Sequence, residues 1–178
     1  NPPESVVVET PWDGSPLVAS FDAFYAREFP RIVHVTFALS GSRLAAEDLA
    51  QDAMLAAYRQ WDQVRHLDRP GAWVRRVAIN LAASAHQRRK AEFKALVRLA
   101  PLRVGPLVRL DSESEHVWRR VRRLPRRQAQ AVALFYVDDL SVAEIAEVMD
   151  CAENTVKAHL HQARQTLERT LRLEGEGS

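Results

Sequence analysis

Residues 140–160 read LSVAEIAEVM-DCA-ENTVKAHL, and they carry the strongest local signal in the chain. Ser141 followed three residues later by Glu144 forms a capping-box pattern, which predicts a short helix ending near Met149. A second helix begins near Glu153 after a three-residue turn, and the small Ala146 allows the two helices to cross closely. Four apolar residues are available for burial between them: Ile145, Met149, Val156 and Leu160. The pattern predicts a helix-turn-helix, with an ordinary helical hairpin as the alternative.

The second helix of this pattern carries polar side chains that suit a DNA major groove. Donors and acceptors on one helix can read base edges there. The candidate residues are Asn154, Thr155, Lys157, His161 and Arg164. Because a capped short helix, a tight turn and a polar second helix occur together, DNA binding is the preferred interpretation.

Helical patterns also account for the rest of the chain. They predict helices over about 21–39, capped by Ser20, and over 43–61, 70–90, 112–137 and 153–171, with a break at Leu124-Pro125. Sustained strand alternation is absent from the sequence. The predicted fold class is therefore all-α, with two small helical bundles joined by a flexible linker and the helix-turn-helix in the C-terminal bundle.

Proline and glycine positions predict the domain boundaries. Residues 1–17 hold four of the nine prolines and are expected to form a flexible arm. Pro101, Gly105 and Pro106 predict a linker over 91–111. The two domains then span 18–90 and 112–172, followed by a tail over 173–178. The segment 18–42 is expected to form either one helix or two.

Composition and charge limit the class of protein. The 178 residues are 47% apolar and 27% charged, with apolar runs too short to span a bilayer. A single cysteine and no signal-peptide pattern predict a cytoplasmic protein, and Asn at position 1 indicates a processed or trimmed chain.

The net charge is only +2, but residues 65–103 hold ten basic and two acidic side chains, and residues 119–127 hold six arginines. Such clusters suit phosphate, with solvated helix faces as the alternative.

The helix predicted over 43–61 has two distinct faces. Ala46, Ala50, Ala53 and Ala57 recur at three- and four-residue spacing and are expected to be buried, together with Trp61. A different face carries five side chains of mixed character: Asp48, Gln51, Asp52, Leu55 and Arg59. This face is a candidate docking surface, with a solvated face as the alternative.

The helix predicted over 70–90 is amphipathic. Val74, Val77, Ala78 and Leu81 are expected to face a core. Another side carries basic, amide and aromatic groups, which can hold phosphates and stack on unpaired bases: Trp73, Arg76, Asn80 and Gln87, leading into Arg88 and Arg89. Core packing is the preferred interpretation for Trp61 and Trp73 taken separately.

The order and spacing of these segments resemble the extracytoplasmic-function (ECF) sigma factors of bacterial RNA polymerase, over about residues 21–171. The stretch AEDLAQD at 46–52 resembles the core-polymerase-binding segment, residues 70–90 the −10 segment, and LPRRQ at 124–128 with the helix-turn-helix the −35 segment. The two domains are then similar to sigma regions 2 and 4.

The chain departs from the family pattern at five positions. These are Asp150 for Gly in the turn, Ala152 for the Ser cap, and Ala129, His159 and Gln162 at commonly basic positions.

The resemblance implies a role for each segment in promoter-specific transcription initiation. Core RNA polymerase, through the clamp coiled coil of its largest subunit, is expected to meet Asp48, Gln51, Asp52 and Leu55. The −10 element is expected to contact Arg76, Asn80, Arg88 and Arg89, with a flipped base held by the loop over 62–69. The −35 element is expected to contact Arg127, Asn154, Thr155, Lys157, His161 and Arg164. Promoter DNA and, as a further partner, an anti-sigma factor follow from the same resemblance.

Two other classes of protein are alternatives. A conventional helix-turn-helix regulator with an N-terminal dimerisation or sensing bundle would need no polymerase-docking face. An enzyme is disfavoured, because the six histidines lack metal-ligand spacing, no Gly-rich phosphate loop is present, and Cys151 lacks an evident basic partner. We therefore expect no catalytic residue, metal or cofactor.

Overall fold

The computed structural model describes residues 20–96 and 112–175, which form eight helices and no strand. The helices are α1 (Phe21–Ser40), α2 (Arg43–Arg59), α3 (Trp61–Val64), α4 (Pro70–Leu96), α5 (Ser112–Val121), α6 (Arg126–Tyr136), α7 (Val142–Met149) and α8 (Glu153–Gly175). We call α1–α4 the first bundle and α5–α8 the second bundle. The predicted all-α class is confirmed. The predicted arm over 1–17 lies outside the described residues.

Local capping defines both ends of α1. The Ser20 hydroxyl accepts a hydrogen bond from the Ala23 N–H at 3.2 Å. At the other end Gly41 adopts the left-handed conformation with φ of 70°, and its N–H donates to the Phe37 carbonyl at 2.8 Å. Between these caps the helix is continuous even though it contains Pro30. Residues 21–40 therefore form one helix.

Small side chains allow α2 to pack closely within the first bundle. Ala46, Ala50, Ala53 and Ala57 are all fully buried, which confirms the predicted stripe. Larger side chains from the neighbouring helices, Phe24, Ile32 and Val74, are buried in the same cluster, together with Met54 of α2 itself. Trp61 packs against this core and meets the Phe24 ring at a centroid distance of 5.1 Å.

Three predicted helix ends differ from the structure. Helix α2 ends at Arg59, and residues 61–64 form α3, so the segment expected to be a loop over 62–69 begins as a helix. Helix α4 continues to Leu96 instead of ending near Lys90, because residues 91–96 are helix formers and the next proline is Pro101. Helix α8 continues to Gly175 into the predicted tail. Residues 97–111 lie outside the described residues.

The helix-turn-helix prediction is confirmed in the second bundle. Ser141 and Glu144 form the reciprocal capping box, with the Ser141 N–H donating to the Glu144 carboxylate at 2.9 Å. Hydrogen bonds from the Ser141 hydroxyl and backbone lower the pKa of Glu144. The turn requires a left-handed residue, and Asp150 takes this role with φ of 54°.

The hydrophobic core of the second bundle continues into the first. Val35 and Ala38 of α1 and Ile79 of α4 are buried in one cluster with Leu134 and Ile145 of the second bundle. The two bundles therefore share an apolar interface. Within residues 20–96 and 112–175, each helix is too short or too polar to cross a membrane.

The N-terminus of α8 offers a direct test of local capping. Ala152 stands at the cap position, where its carbonyl accepts from the Thr155 and Val156 N–H groups at 2.9 and 3.2 Å, but its side chain cannot accept a bond. We expect Ala152→Ser to raise the free energy of unfolding by about 1 kcal/mol. Urea denaturation followed by circular dichroism measures this change. Ala158→Ser, at an exposed interior position of α8, is the control and should be neutral or slightly destabilising. An equal effect of both substitutions would contradict the capping argument.

Candidate functional site

The exposed face of α2 brings together all the residues predicted to dock a partner. Asp48, Gln51, Asp52 and Leu55 are each exposed, on the side of the helix opposite the buried alanine stripe. Sequence reasoning missed two large side chains there, since Leu44 and Tyr58 are 72% and 61% exposed. Leu44 and Tyr58 are separated from Leu55 by nearly whole helical turns, and this spacing was the signal that could have placed them on the same face. We call these six side chains the α2 face.

The helix-turn-helix presents its predicted DNA-facing side chains to solvent. Asn154, Thr155, Lys157, His161 and Arg164 are all exposed on α8, and we call this surface the α8 face. Two of them make side-chain contacts: the Arg164 Nε donates to the Tyr136 hydroxyl at 3.3 Å, and the His161 and Gln165 side chains lie 3.0 Å apart. The helix thus offers donors and acceptors along one side.

Arg127 supports this helix-turn-helix from the first turn of α6. The Arg127 Nη1 donates to the Met149 carbonyl at 3.0 Å, at the C-terminus of α7, where a positive charge is favourable. His159 is half-buried nearby, and burial followed by the charge of Arg127 lowers its pKa. Arg127, which was predicted to contact DNA, therefore also holds the turn in position.

The predicted −10 residues of α4 divide into two groups. Arg76 and Asn80 contact the second bundle: the Arg76 side chain donates to the Val148 and Glu147 carbonyls at 3.0 and 2.6 Å, and the Asn80 Oδ1 accepts from Arg126 at 2.6 Å. Arg88 is exposed further along the helix. The side chain of Arg89 lies outside the described ones.

Arg75, which was not among the predicted site residues, is the charged centre of the interface between the bundles. Its side chain is buried and donates to the Glu28 carboxylate at 2.7 Å, to the Gly71 carbonyl at 3.0 Å and to the Asp138 carboxylate. Asp138, which follows α6, also accepts from the Arg31 Nε at 2.9 Å. We call Glu28, Arg31, Arg75 and Asp138 the ionic network. Helical spacing places Arg75 on the same face of α4 as the buried Ala78, Ile79 and Ala82, and this spacing was the available signal for its burial.

Electrostatics within the ionic network favour the charged forms of Glu28 and Arg75. Burial by itself would raise the pKa of Glu28, but the charges and hydrogen bonds of Arg75 and Arg27 outweigh it and lower that pKa. Burial likewise opposes the charge on Arg75, while Asp138 and Glu28 raise its pKa above the ordinary value. The buried guanidinium is therefore matched by carboxylates from both bundles.

Two glycines lie where arginines of this interface approach the backbone. A Cβ on Gly71 would lie 2.7 Å from the Arg75 Nη1, closer than real contacts allow. A Cβ on Gly41 would lie 2.9 Å from the guanidinium carbon of Arg122. Arg122, in turn, donates to the Ala38 carbonyl at 3.2 Å and pairs with Glu115 at 2.5 Å, so it stabilises the C-terminus of α1 from the second bundle.

The arginine cluster at 119–127 therefore serves the protein's own structure in part. Arg122, Arg126 and Arg127 each donate to a group of this chain, namely Ala38, Asn80 and Met149. Arg119 and Arg123 are exposed. Arg122, Arg126 and Arg127 of the predicted phosphate-binding cluster therefore bind groups of this chain, and phosphate binding by the cluster stays a prediction.

Comparison with known proteins relates both bundles to one family. The family model for Sigma-70 region 2 matches residues 24–92, and the model for Sigma-70, region 4 matches residues 114–167. These ranges include the α2 face, Arg75 to Arg88 of α4, and the helix-turn-helix.

Curated relatives match over most of their length. The ECF RNA polymerase sigma factor SigM of Mycobacterium tuberculosis is 30% identical over 156 residues, covering 85% of this chain and 77% of SigM. The ECF RNA polymerase sigma factor SigW of Bacillus subtilis is 26% identical over 157 residues, covering 80% of this chain and 83% of SigW.

A solved structure has a similar fold. The sigma factor RpoE in complex with the anti-sigma factor NepR, from Bartonella quintana, superposes with a TM-score of 0.66 at 22% identity. The alignment covers 85% of this chain and 96% of that one.

The ionic network predicts a specific pH dependence of stability. Because the pKa of Glu28 is lowered in the fold, its contribution is complete above the ordinary value of 4.5 and is lost as the pH falls through the lowered value. We expect Glu28→Gln to reduce the free energy of unfolding by about 2 kcal/mol at neutral pH. The difference from the unsubstituted chain should shrink below pH 4.5.

Urea denaturation at a series of pH values measures this difference. The control is Glu47→Gln, which removes the exposed pair of Glu47 with Arg43 and should cost less than about 1 kcal/mol at every pH. A Glu28→Gln effect that stays constant down to acidic pH would show that the charge of Glu28 contributes nothing.

Proposed function

The chain belongs to the ECF group of sigma-70 factors, and it is a promoter-recognition sigma subunit of RNA polymerase; we propose that the α2 face, α4 and the α8 face each bind a different partner. The α2 face binds core polymerase, α4 binds the opened −10 element, and the α8 face binds the duplex −35 element. The observation that carries this proposal is the exposure of all four predicted docking residues on a helix whose other side is packed with alanine. Membership of the sigma-70 family excludes the alternative of a conventional regulator.

Core polymerase binding through the α2 face follows from its chemistry. Two carboxylates, Asp48 and Asp52, stand beside exposed apolar groups such as Leu55, which is 44% exposed. Apolar groups gain free energy when a partner covers them, and carboxylates select a basic partner surface. Leu44 and Tyr58 extend the apolar part of the same face. We assign the clamp coiled coil of the largest polymerase subunit as the partner.

The α8 face suits duplex DNA. Asn154 and Thr155 lie in the first turn of α8, which is the end of a recognition helix that approaches base edges. Lys157 and Arg164 add positive charge for phosphates. The capping box of α7 and the bond from Arg127 to Met149 hold the turn that sets the angle of α8.

The side of α4 that carries Arg76, Asn80 and Arg88 suits the opened −10 strand. Guanidinium and amide groups on one helix can hold the phosphates and base edges of an unpaired strand. Arg89, whose side chain lies outside the described ones, follows in the same segment and is included in this assignment.

Further partners and the location of the protein complete the proposal. Promoter DNA and core polymerase are cytoplasmic in bacteria, so we place the protein in the cytoplasm. An anti-sigma factor is proposed as a regulatory partner, as in the RpoE–NepR complex. The chain acts by binding, and we assign it no catalytic residue and no cofactor.

Charge reversal on the α2 face tests the docking assignment. Asp52→Arg should weaken binding to core polymerase about tenfold or more, because it places two like charges opposite each other. Its free energy of unfolding should stay within about 0.5 kcal/mol of the unsubstituted chain, since Asp52 is exposed. Fluorescence anisotropy with labelled chain and purified core polymerase measures the affinity.

The matched control is Glu168→Arg, an equal charge reversal at an exposed position of α8, which should bind core polymerase normally. Reconstituted transcription on a pool of candidate promoters gives the second readout. Normal core affinity and normal initiation with Asp52→Arg would refute the assignment of the α2 face.

A further inference from the structure

Tyr136 joins the end of α6 to the α8 face. It is the last residue of α6 and is 57% exposed. Its hydroxyl accepts a hydrogen bond from the Arg164 Nε at 3.3 Å, and its ring meets that of Phe135 edge-on at a centroid distance of 5.0 Å. Tyr136 was not among the residues predicted to contact the −35 element, but it contacts one of them.

The bond to Tyr136 orients the guanidinium of Arg164 without neutralising it. A tyrosine hydroxyl is uncharged, so the positive charge of Arg164 stays available to another partner. Glu168 is exposed one turn further along α8, but within residues 20–96 and 112–175 no carboxylate pairs with Arg164. Since the Nε–H is used by Tyr136, the two Nη groups are left as a two-pronged donor for a ligand.

The hydroxyl proton of Tyr136 is also available to a ligand. The hydroxyl oxygen accepts from Arg164, so its own O–H can donate to a further acceptor. Among the groups that the structure describes, none accepts from it. The pair therefore presents donors from two helices, an O–H from α6 and N–H groups from α8. Such a set of adjacent donors with one positive charge suits an anion with several oxygens, such as a DNA phosphate.

The pair lies on the same edge of α8 as Lys157. Lys157 and Arg164 are seven positions apart, close to two helical turns, so their side chains leave α8 on one side, about 10 Å apart along its axis. Both are exposed. They are also the only lysine and arginine in residues 153–164. The positive charge of the first three turns of α8 therefore lies on the edge that Tyr136 joins.

The fold depends little on the Tyr136 hydroxyl. A bond of 3.3 Å between exposed groups stabilises a protein only slightly. Helices α6 and α8 are held together by an apolar core, in which Leu134 and Val156 are buried. The side chains of Gln128 and Gln162 form a further link between the two helices at 3.2 Å. The hydroxyl can therefore be removed without unfolding the chain.

We propose that Tyr136 is a further DNA-binding residue, which positions the guanidinium of Arg164 and, together with it, binds one phosphate of the −35 duplex. This inference rests on the proposed role of the α8 face, and it extends the DNA-binding surface from α8 to the end of α6. Phosphate contacts fix the orientation of a protein on the duplex. The pair thus sets the orientation in which Asn154 and Thr155 meet the base edges.

Binding of duplex DNA to the complete holoenzyme tests this site. The probe is a labelled duplex fragment of a promoter selected with the full chain and core polymerase, measured by anisotropy below the temperature of strand opening. Tyr136→Phe should weaken binding about fivefold and Arg164→Gln about tenfold. The double variant should lose much less than the product of the two effects, because the two groups act together. Tyr25→Phe removes a hydroxyl from the first bundle and is the matched control, with normal binding expected.

Two further measurements distinguish a phosphate contact from a structural effect. The slope of log Kd against log salt concentration should fall by about 1 in Arg164→Gln and by part of that in Tyr136→Phe, which loses no charge of its own. A merely loosened second bundle would lower the affinity without changing this slope. In a scan of single methylphosphonate links, each of which removes one phosphate charge, one −35 position should weaken binding of the unsubstituted chain and have little effect on Arg164→Gln.

The outcomes separate this inference from the proposed function. Normal affinity and salt slope with Tyr136→Phe, fully additive effects in the double variant, or equal responses of Arg164→Gln and the unsubstituted chain to every methylphosphonate would overturn it. If Tyr136→Phe lost its helical circular dichroism, Tyr136→Leu would decide by the same criteria. Failure of the proposed role of the α8 face would be visible separately, because Lys157→Ala would then also bind the duplex normally.

Discussion

The burial of Arg75 is the constraint on which the arrangement of the two bundles depends. A guanidinium cannot lose its proton at any ordinary pH, so burial is tolerated only where carboxylates and carbonyls surround it. Glu28 and Gly71 supply part of that surrounding from the first bundle, and Asp138 supplies the rest from the second. Because the Asp138 carboxylate also accepts from Arg31, one buried acid ties two helices of the first bundle to the end of α6.

Around Arg75, two other arginine side chains also bind backbone groups across the interface between the bundles. Arg122 and Arg76 each cross the interface to meet the C-terminus of a helix, α1 and α7 respectively. Both contacts use the negative end of a helix dipole as the partner of a guanidinium. Guanidinium groups that can bind phosphates can therefore also bind helix ends, and the face of α4 proposed to bind DNA also contacts the second bundle.

Local structure was largely predictable, because the signals that determine it lie within a few residues. Ser20, Ser141 with Glu144, and Gly41 each act on neighbours three or four positions away, and the helix ends they predict agree with the structure. The alanine stripe of α2 and the exposure of Asp48 and Asp52 follow from helical periodicity in the same way. Where no such signal exists, as at the end of α4, the predicted boundary was six residues short.

The helices, the helix-turn-helix and the exposed face of α2 could be predicted from the amino-acid sequence, since each depends on spacing along one segment. Which groups the arginines meet follows from the packing of the two bundles. Arg75 and Arg76 are adjacent in one basic helix, yet one is enclosed by carboxylates and the other lies on a helix end. Arg75 and Asp138 are separated by 63 positions. Nothing within a single helix specifies such a pair, because its free energy depends on the desolvation and close approach that packing of the two bundles creates.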